Sequence, residues 1–183
     1  PNETSATIQD TTVATGGQAV QVDRVPGGDK RWAVALGENA PTGQFIFVEW
    51  DMRVAATGAE NGGLGPFFGV QAYDSFGYTS DDIPLLGALG LEATSLDVVY
   101  QQGEDGTLVE AGRKVSPDTW YQFALQVDFT TSEFTIYFEE QPLATGQFVD
   151  WSVVGANLDR LTDADIVALP AQEAAESQLM PGT

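Results

Sequence analysis

Glu49, Asp51 and Arg53 stand at every second position of the stretch Gln44 to Ala56, QFIFVEWDMRVAA. A β-strand sends alternate side chains to opposite faces, so these three share a face with Phe45 and Phe47. Ile46, Val48, Trp50, Met52 and Val54 share the other face, which reads as core. Two carboxylates on one strand face can do acid–base or nucleophilic work, and cleavage of a glycosidic bond with retention needs a pair about 5 Å apart. Arg53 cannot serve as an acid, because a guanidinium does not donate and recover a proton at neutral pH. The simplest reading of the three is an ionic ladder on a sheet face.

Other chemistries are cut back by what the chain lacks. It has no histidine and no cysteine. That removes the commonest general base, the Ser–His–Asp triad, most zinc sites and any disulfide. Carboxylates remain for catalysis and oxygen ligands for a hard cation. The acidic loops are Glu60-Asn61, Asp74 to Asp82, Gly103 to Gly106, and Asp163 with Asp165. None has the spacing of a dedicated calcium loop. Asp74, Asp81 and Asp82 are the expected ligands if Ca²⁺ binds, and Ca²⁺ is the one cofactor expected. Aromatic rings offer a third chemistry, stacking on a ligand. Trp50 and Trp120 fall in strand patterns and belong to the core, whereas Tyr73, Phe76 and Tyr78 lie in or beside an acidic loop and read as a surface platform. The expected ligand-binding set is therefore Tyr73, Phe76, Tyr78, Glu49 and Asp51.

These residues need a frame, and Thr119 to Glu139 shows what it is. Tyr121, Phe123, Leu125, Val127 and Phe129 alternate with polar or small residues, and Phe134, Ile136 and Phe138 repeat the pattern after a polar turn. Two such strands make a hairpin with one apolar face, and a lone hairpin is not stable in water, so other strands must cover it. Further strands are expected at Ala6–Val13, Gln18–Arg24, Arg31–Leu36, Phe67–Tyr73, Leu85–Leu91, Ser95–Gln101, Thr107–Val115 and Pro142–Val149. One short helix is expected near the C-terminus, capped by Thr162 with Asp163 and Asp165 in its first turn and stopped by Pro170. The fold class is thus all-β, an antiparallel β-sandwich or jelly roll, with one C-terminal helix. The 183 residues read as one domain, with 1–5 and 171–183 loose.

With 7 basic against 27 acidic residues, the formal net charge is −20. Nucleic acid and anionic membranes both need cationic contacts, so neither is an expected partner. No stretch approaches the ~20 apolar residues of a membrane-spanning helix.

The segment Gly112 to Ala144, GRKVSPDTWYQFALQVDFTTSEFTIYFEEQPLA, resembles the laminin-G-like or concanavalin A-like lectin/glucanase jelly roll. GQFIFVEWDMRV (43–54), GPFFGVQAYD (65–74) and the late LDRLTDADIVAL resemble strands of the same family, as found in uncharacterised secreted or surface proteins of bacteria. The resemblance implies an extracellular or cell-surface location and a carbohydrate or another surface polymer as partner. Glycoside hydrolases of this kind carry E-x-D-x-E on one strand, so Glu49 and Asp51 match while Arg53 takes the place of the acid/base. The implied function is a non-catalytic binding module, with a glycan hydrolase the less favoured reading. Such domains close with a strand that begins where this chain ends, at Gly182-Thr183. The resemblance therefore implies missing terminal strands, or a structural subunit of a surface layer, filament or sheath that self-assembles by strand exchange.

Overall fold

A computed structural model describes residues 3–25, 28, 30–36, 39–55, 66–76, 84–149 and 158–169. Twelve strands form among them: β1 (Ser5–Gln9), β2 (Ala19–Asp23), β3 (Lys30–Trp32), β4 (Phe45–Met52), β5 (Phe67–Tyr73), β6 (Leu85–Glu92), β7 (Asp97–Gln101), β8 (Leu108–Lys114), β9 (Tyr121–Asp128), β10 (Glu133–Phe138), β11 (Gln141–Gln147) and β12 (Asp163–Leu169). Every pairing is antiparallel. A four-stranded sheet has the order β11-β10-β9-β4, a six-stranded sheet the order β3-β12-β5-β6-β7-β8, and β1 with β2 forms a separate hairpin. The all-β sandwich expected from the alternation is the fold observed.

The core lies between the two larger sheets. Ile46, Phe123, Leu125, Val127, Phe134, Ile136 and Phe138 come from the four-stranded sheet, and Ala72, Leu89, Leu91, Val98 and Tyr100 from the six-stranded one. Period-two alternation makes this possible, since each strand offers one apolar row to its opposite sheet. Trp50 stacks on Phe123 with ring centroids 5.8 Å apart, as expected of a core residue. Phe134 fills a socket walled by two glycines. A Cβ on Gly87 would meet its ring at 2.9 Å, and one on Gly146 would meet the ring and the carbonyl oxygen of Gln101. A second apolar cluster, with Phe67, Ala88, Val99, Leu108, Val167 and Leu169, lies on the other side of the six-stranded sheet.

The helix expected after Thr162 is instead β12. Seven of its residues pair with β5, from Asp163 opposite Tyr73 to Leu169 opposite Phe67. Thr162 does not cap a helix: its hydroxyl accepts hydrogen bonds from the Ser75 amide (2.6 Å) and hydroxyl (2.9 Å) and donates to the Tyr73 carbonyl. The β-branched pair Ile166-Val167 suits a strand, and the row of long-range partners outweighs a short run of helix signals. Among the described residues no helix is long and apolar enough to cross a membrane.

Candidate functional site

The outer face of the four-stranded sheet carries the side chains that alternate with the core. Register aligns them in rungs: Phe45 with Asp128 and Glu133; Phe47 with Gln126 and Thr135; Glu49 with Ala124 and Tyr137. Ala124 is the small member. Its methyl group leaves a gap between Glu49 on β4 and Tyr137 on β10, and the gap is a cavity of about 210 Å³ lined also by Phe47, Gln122 and Glu140. The aromatic wall is held in place. The Tyr137 hydroxyl donates to Gln126 Oε1 at 2.7 Å, and the Tyr137 ring lies 6.3 Å from that of Phe47, which is 55% exposed.

Glu140 reaches this cavity through an unusual turn. Phe138 and Gln141 are the last paired residues of the β10–β11 hairpin, so only Glu139 and Glu140 connect the strands. Both have positive φ, 51° and 62°. That is the two-residue turn whose twist fits a hairpin, and it normally carries Asn-Gly because left-handed backbone is unfavourable for residues with a Cβ. Glu139 turns back to accept a hydrogen bond from the Gln122 amide at 2.7 Å. No hydrogen bond or ion pair engages the Glu140 carboxylate among the described residues, and none engages the carboxylates of Glu49, Asp51 or Glu133.

Glu49 and Asp51 thus lie together on this face, as the alternation requires. The expected ionic ladder does not form, because Arg53 bonds elsewhere. Its Nη2 meets Asp118 Oδ1 at 2.7 Å and its Nε donates to the Asp118 carbonyl at 2.9 Å.

The expected loop platform is not part of this site. Tyr73 points to the outer face of the six-stranded sheet, where its hydroxyl donates to Gln71 Oε1 at 2.8 Å and burial pushes its pKa up. Arg31 Nε donates to the same oxygen. Asp165, on the neighbouring strand, has its pKa pushed up to about 6, first by burial and then by the Asp163 charge, with Arg31 opposing. Phe76 is exposed, as expected, but one face is taken by the Arg160 guanidinium at 3.7 Å. Asp74 is 2% exposed and acts as a tie: its carboxylate accepts the amides of Phe76 (3.0 Å) and Asp159 (3.3 Å), and burial raises its pKa. Tyr78, Asp81 and Asp82 lie outside the described residues. Among the described residues no group of three acidic side chains is placed to hold a metal ion.

Sequence reading missed Ala124, Tyr137, Gln122 and Glu140. Their signal was the polar row of the central hairpin, and above all a Glu-Glu pair where a hairpin turn wants Asn-Gly.

No protein-family model and no curated protein matches the chain. Solved structures do. An endo-β-1,4-glucuronan lyase from the fungus Trichoderma reesei superposes with a TM-score of 0.62 at 16% identity, over 100% of this chain and 82% of the lyase. A sialidase superposes with a TM-score of 0.61 at 9% identity, over 92% of this chain, which spans 13% of the sialidase. The expectation of a non-catalytic chain is therefore corrected. Both structures are enzymes, so this fold is one on which enzymes are built. The missing acid at Arg53 is also not decisive, since Glu140 lines the same cavity as Glu49. At these identities the likeness establishes the fold alone: an antiparallel β-sandwich of the jelly-roll kind.

Proposed function

We propose that the chain engages an extended polysaccharide across the outer face of β4, β9, β10 and β11, and that Glu49 and Glu140 act on it as an acid–base pair. The observation that carries this reading is one cavity with carboxylates at two sides and the rings of Phe47 and Tyr137 as a wall. Sugar rings present apolar faces that stack on aromatic side chains, and a few polar groups then fix orientation. For hydrolysis, one carboxylic acid gives its proton to the departing glycosidic oxygen as the bond to the anomeric carbon breaks. The other carboxylate takes a proton from the water that adds to that carbon. β9 lies between Glu49 on β4 and Glu140 past the end of β10, so their backbones stand more than two strand spacings of ~5 Å apart and the two side chains reach toward each other across the cavity. We place the polymer outside the cell or on its surface, where such chains are met.

The test measures new reducing ends and affinity on a panel of soluble glycans. Wild-type cleavage that falls by roughly 100-fold or more in Glu49→Gln and in Glu140→Gln, with the fold unchanged by circular dichroism, supports the assignment. A panel that is neither bound nor cleaved sinks it.

A second reading, assembly through sheet edges, has one supporting observation. β4 is an edge strand of eight residues without proline or lysine, and it exposes Phe45 and Phe47. Such an edge invites pairing with another strand. Light scattering on the eluting protein, with and without calcium, tests it: a particle larger than 19.5 kDa that Phe47→Lys returns to that mass supports assembly.

A further inference from the structure

We infer that the glycan taken by this face is cationic, a polymer of amino sugars carrying free amines. The inference rests on the site proposed above and adds the charge of its ligand.

The cavity and its rings define where a chain would lie. The charges around it define which chain is tolerated. All seven lysines and arginines of the protein are Arg24, Lys30, Arg31, Arg53, Arg113, Lys114 and Arg160, and none belongs to β4, β9, β10 or β11. Arg53, just past the end of β4, is held by Asp118. Lys114 is held by Asp97 and the Ser95 carbonyl, and Arg160 by Asp159. The chain has no histidine, and no lysine or arginine lines the cavity.

The carboxylates of Glu49, Asp51, Glu133 and Glu140 stand on or beside the same face without a partner among the described residues. β9 separates β4 from β10, so most of these carboxylates face one another across about 10 Å or more, a range over which like charges repel at low salt, and a polyuronate laid among them would add to the repulsion. A neutral glycan would leave that repulsion as it is. A protonated amine relieves it, and it also gains from the faces of Tyr137 and Phe47, since aromatic rings attract cations. Ring stacking and carboxylate pairing then act on one sugar unit: the ring on the wall, the ammonium on Glu49 or Glu140.

The test titrates four probes into the protein at mildly acidic pH: an oligomer of β-linked glucosamine, its fully N-acetylated form, a β-linked glucose oligomer and polylysine. The expected result is binding of the glucosamine oligomer at least tenfold tighter than of the acetylated and glucose forms, as several exposed ion pairs acting together allow. That preference should vanish on raising salt from about 0.02 M to about 0.3 M, because exposed charges are screened. It should also fall in the double variant Glu49→Gln/Glu140→Gln, whose fold is checked by circular dichroism. Equal affinity for the glucosamine, acetylated and glucose oligomers, unaffected by salt, overturns the cationic ligand while leaving the glycan site standing. Binding of none of the saccharides overturns both. Polylysine bound as tightly as the glucosamine oligomer, with the same loss in the double variant, also overturns the inference, because the face would then select charge without selecting sugar.

Discussion

Glu139 and Glu140 are where a single residue's backbone and the chemistry of the face meet. Each holds a left-handed conformation that costs roughly 1–2 kcal/mol for a residue with a Cβ. Strain of this kind persists where surrounding structure enforces it, and here the paired ends Phe138 and Gln141 leave two residues to make the turn. Replacing the pair with Asn-Gly should relieve the strain and stabilise the protein by about 1 kcal/mol or more, read as a higher midpoint in chemical denaturation. The same change should weaken glycan binding, because Glu140 leaves the cavity. A variant that gains stability and keeps full affinity would show that Glu140 does not touch the ligand. Glu49 and Asp51 could be read from the sequence because alternation alone puts them on one face. Glu140 could not. It arrives beside Glu49 only through two successive antiparallel registers, β4 with β9 and β9 with β10, which no local pattern encodes.

Strand β12 shows how a local signal can mislead about an element. Thr162, Asp163 and Asp165 satisfy the grammar of a helix start, and only the seven-residue partnership with β5 reveals a strand. The other strands were legible to within a few residues, Phe67–Tyr73 to the residue: β4 and β10 alternate over the core, while β6 and β7, buried on both faces, read as short apolar runs. On β12 Asp165 sits beside Asp163 and near Gln71, and its pKa is raised to about 6 from an ordinary value of 3.8. The folded state thus binds this proton more tightly than the unfolded chain does. Its stabilising effect is full below pH 3.8 and is lost as pH rises to about 6. Asp165→Asn keeps a neutral side chain at every pH. Its melting temperature relative to wild type should therefore climb between pH 4 and pH 6 and level off above. A constant difference across that range would mean that Asp165 ionises normally in the folded protein.

The whole molecule carries a net charge of −20, with only seven cations, and most of the placed ones are tied to a partner. Self-repulsion opposes the compact state and weakens as salt shortens its reach, to about 10 Å at 0.1 M. Melting temperature should rise from about 0.02 M to about 0.3 M sodium chloride, and a flat response would mean that the charges are already balanced locally. Against this diffuse electrostatic load stands a core fastened at specific places. The socket around Phe134 is one of them, joining β10 to β6 within the other sheet and to β11 beside it. A methyl group at Gly146 has no room, so Gly146→Ala should cost about 1–3 kcal/mol in denaturant unfolding.

The socket also sets an order of descent. While Phe134 is present, neither Gly87 nor Gly146 can accept a side chain, so both positions are closed to drift. A lineage that first exchanges Phe134 for a smaller residue opens position 87, while the Gln101 carbonyl keeps position 146 closed. Relatives of this chain should therefore fall into two groups, one with the aromatic ring and both glycines, the other with a smaller residue at position 134, freedom at 87 and glycine still at 146. Sequences with the ring and only one of the glycines should be rare.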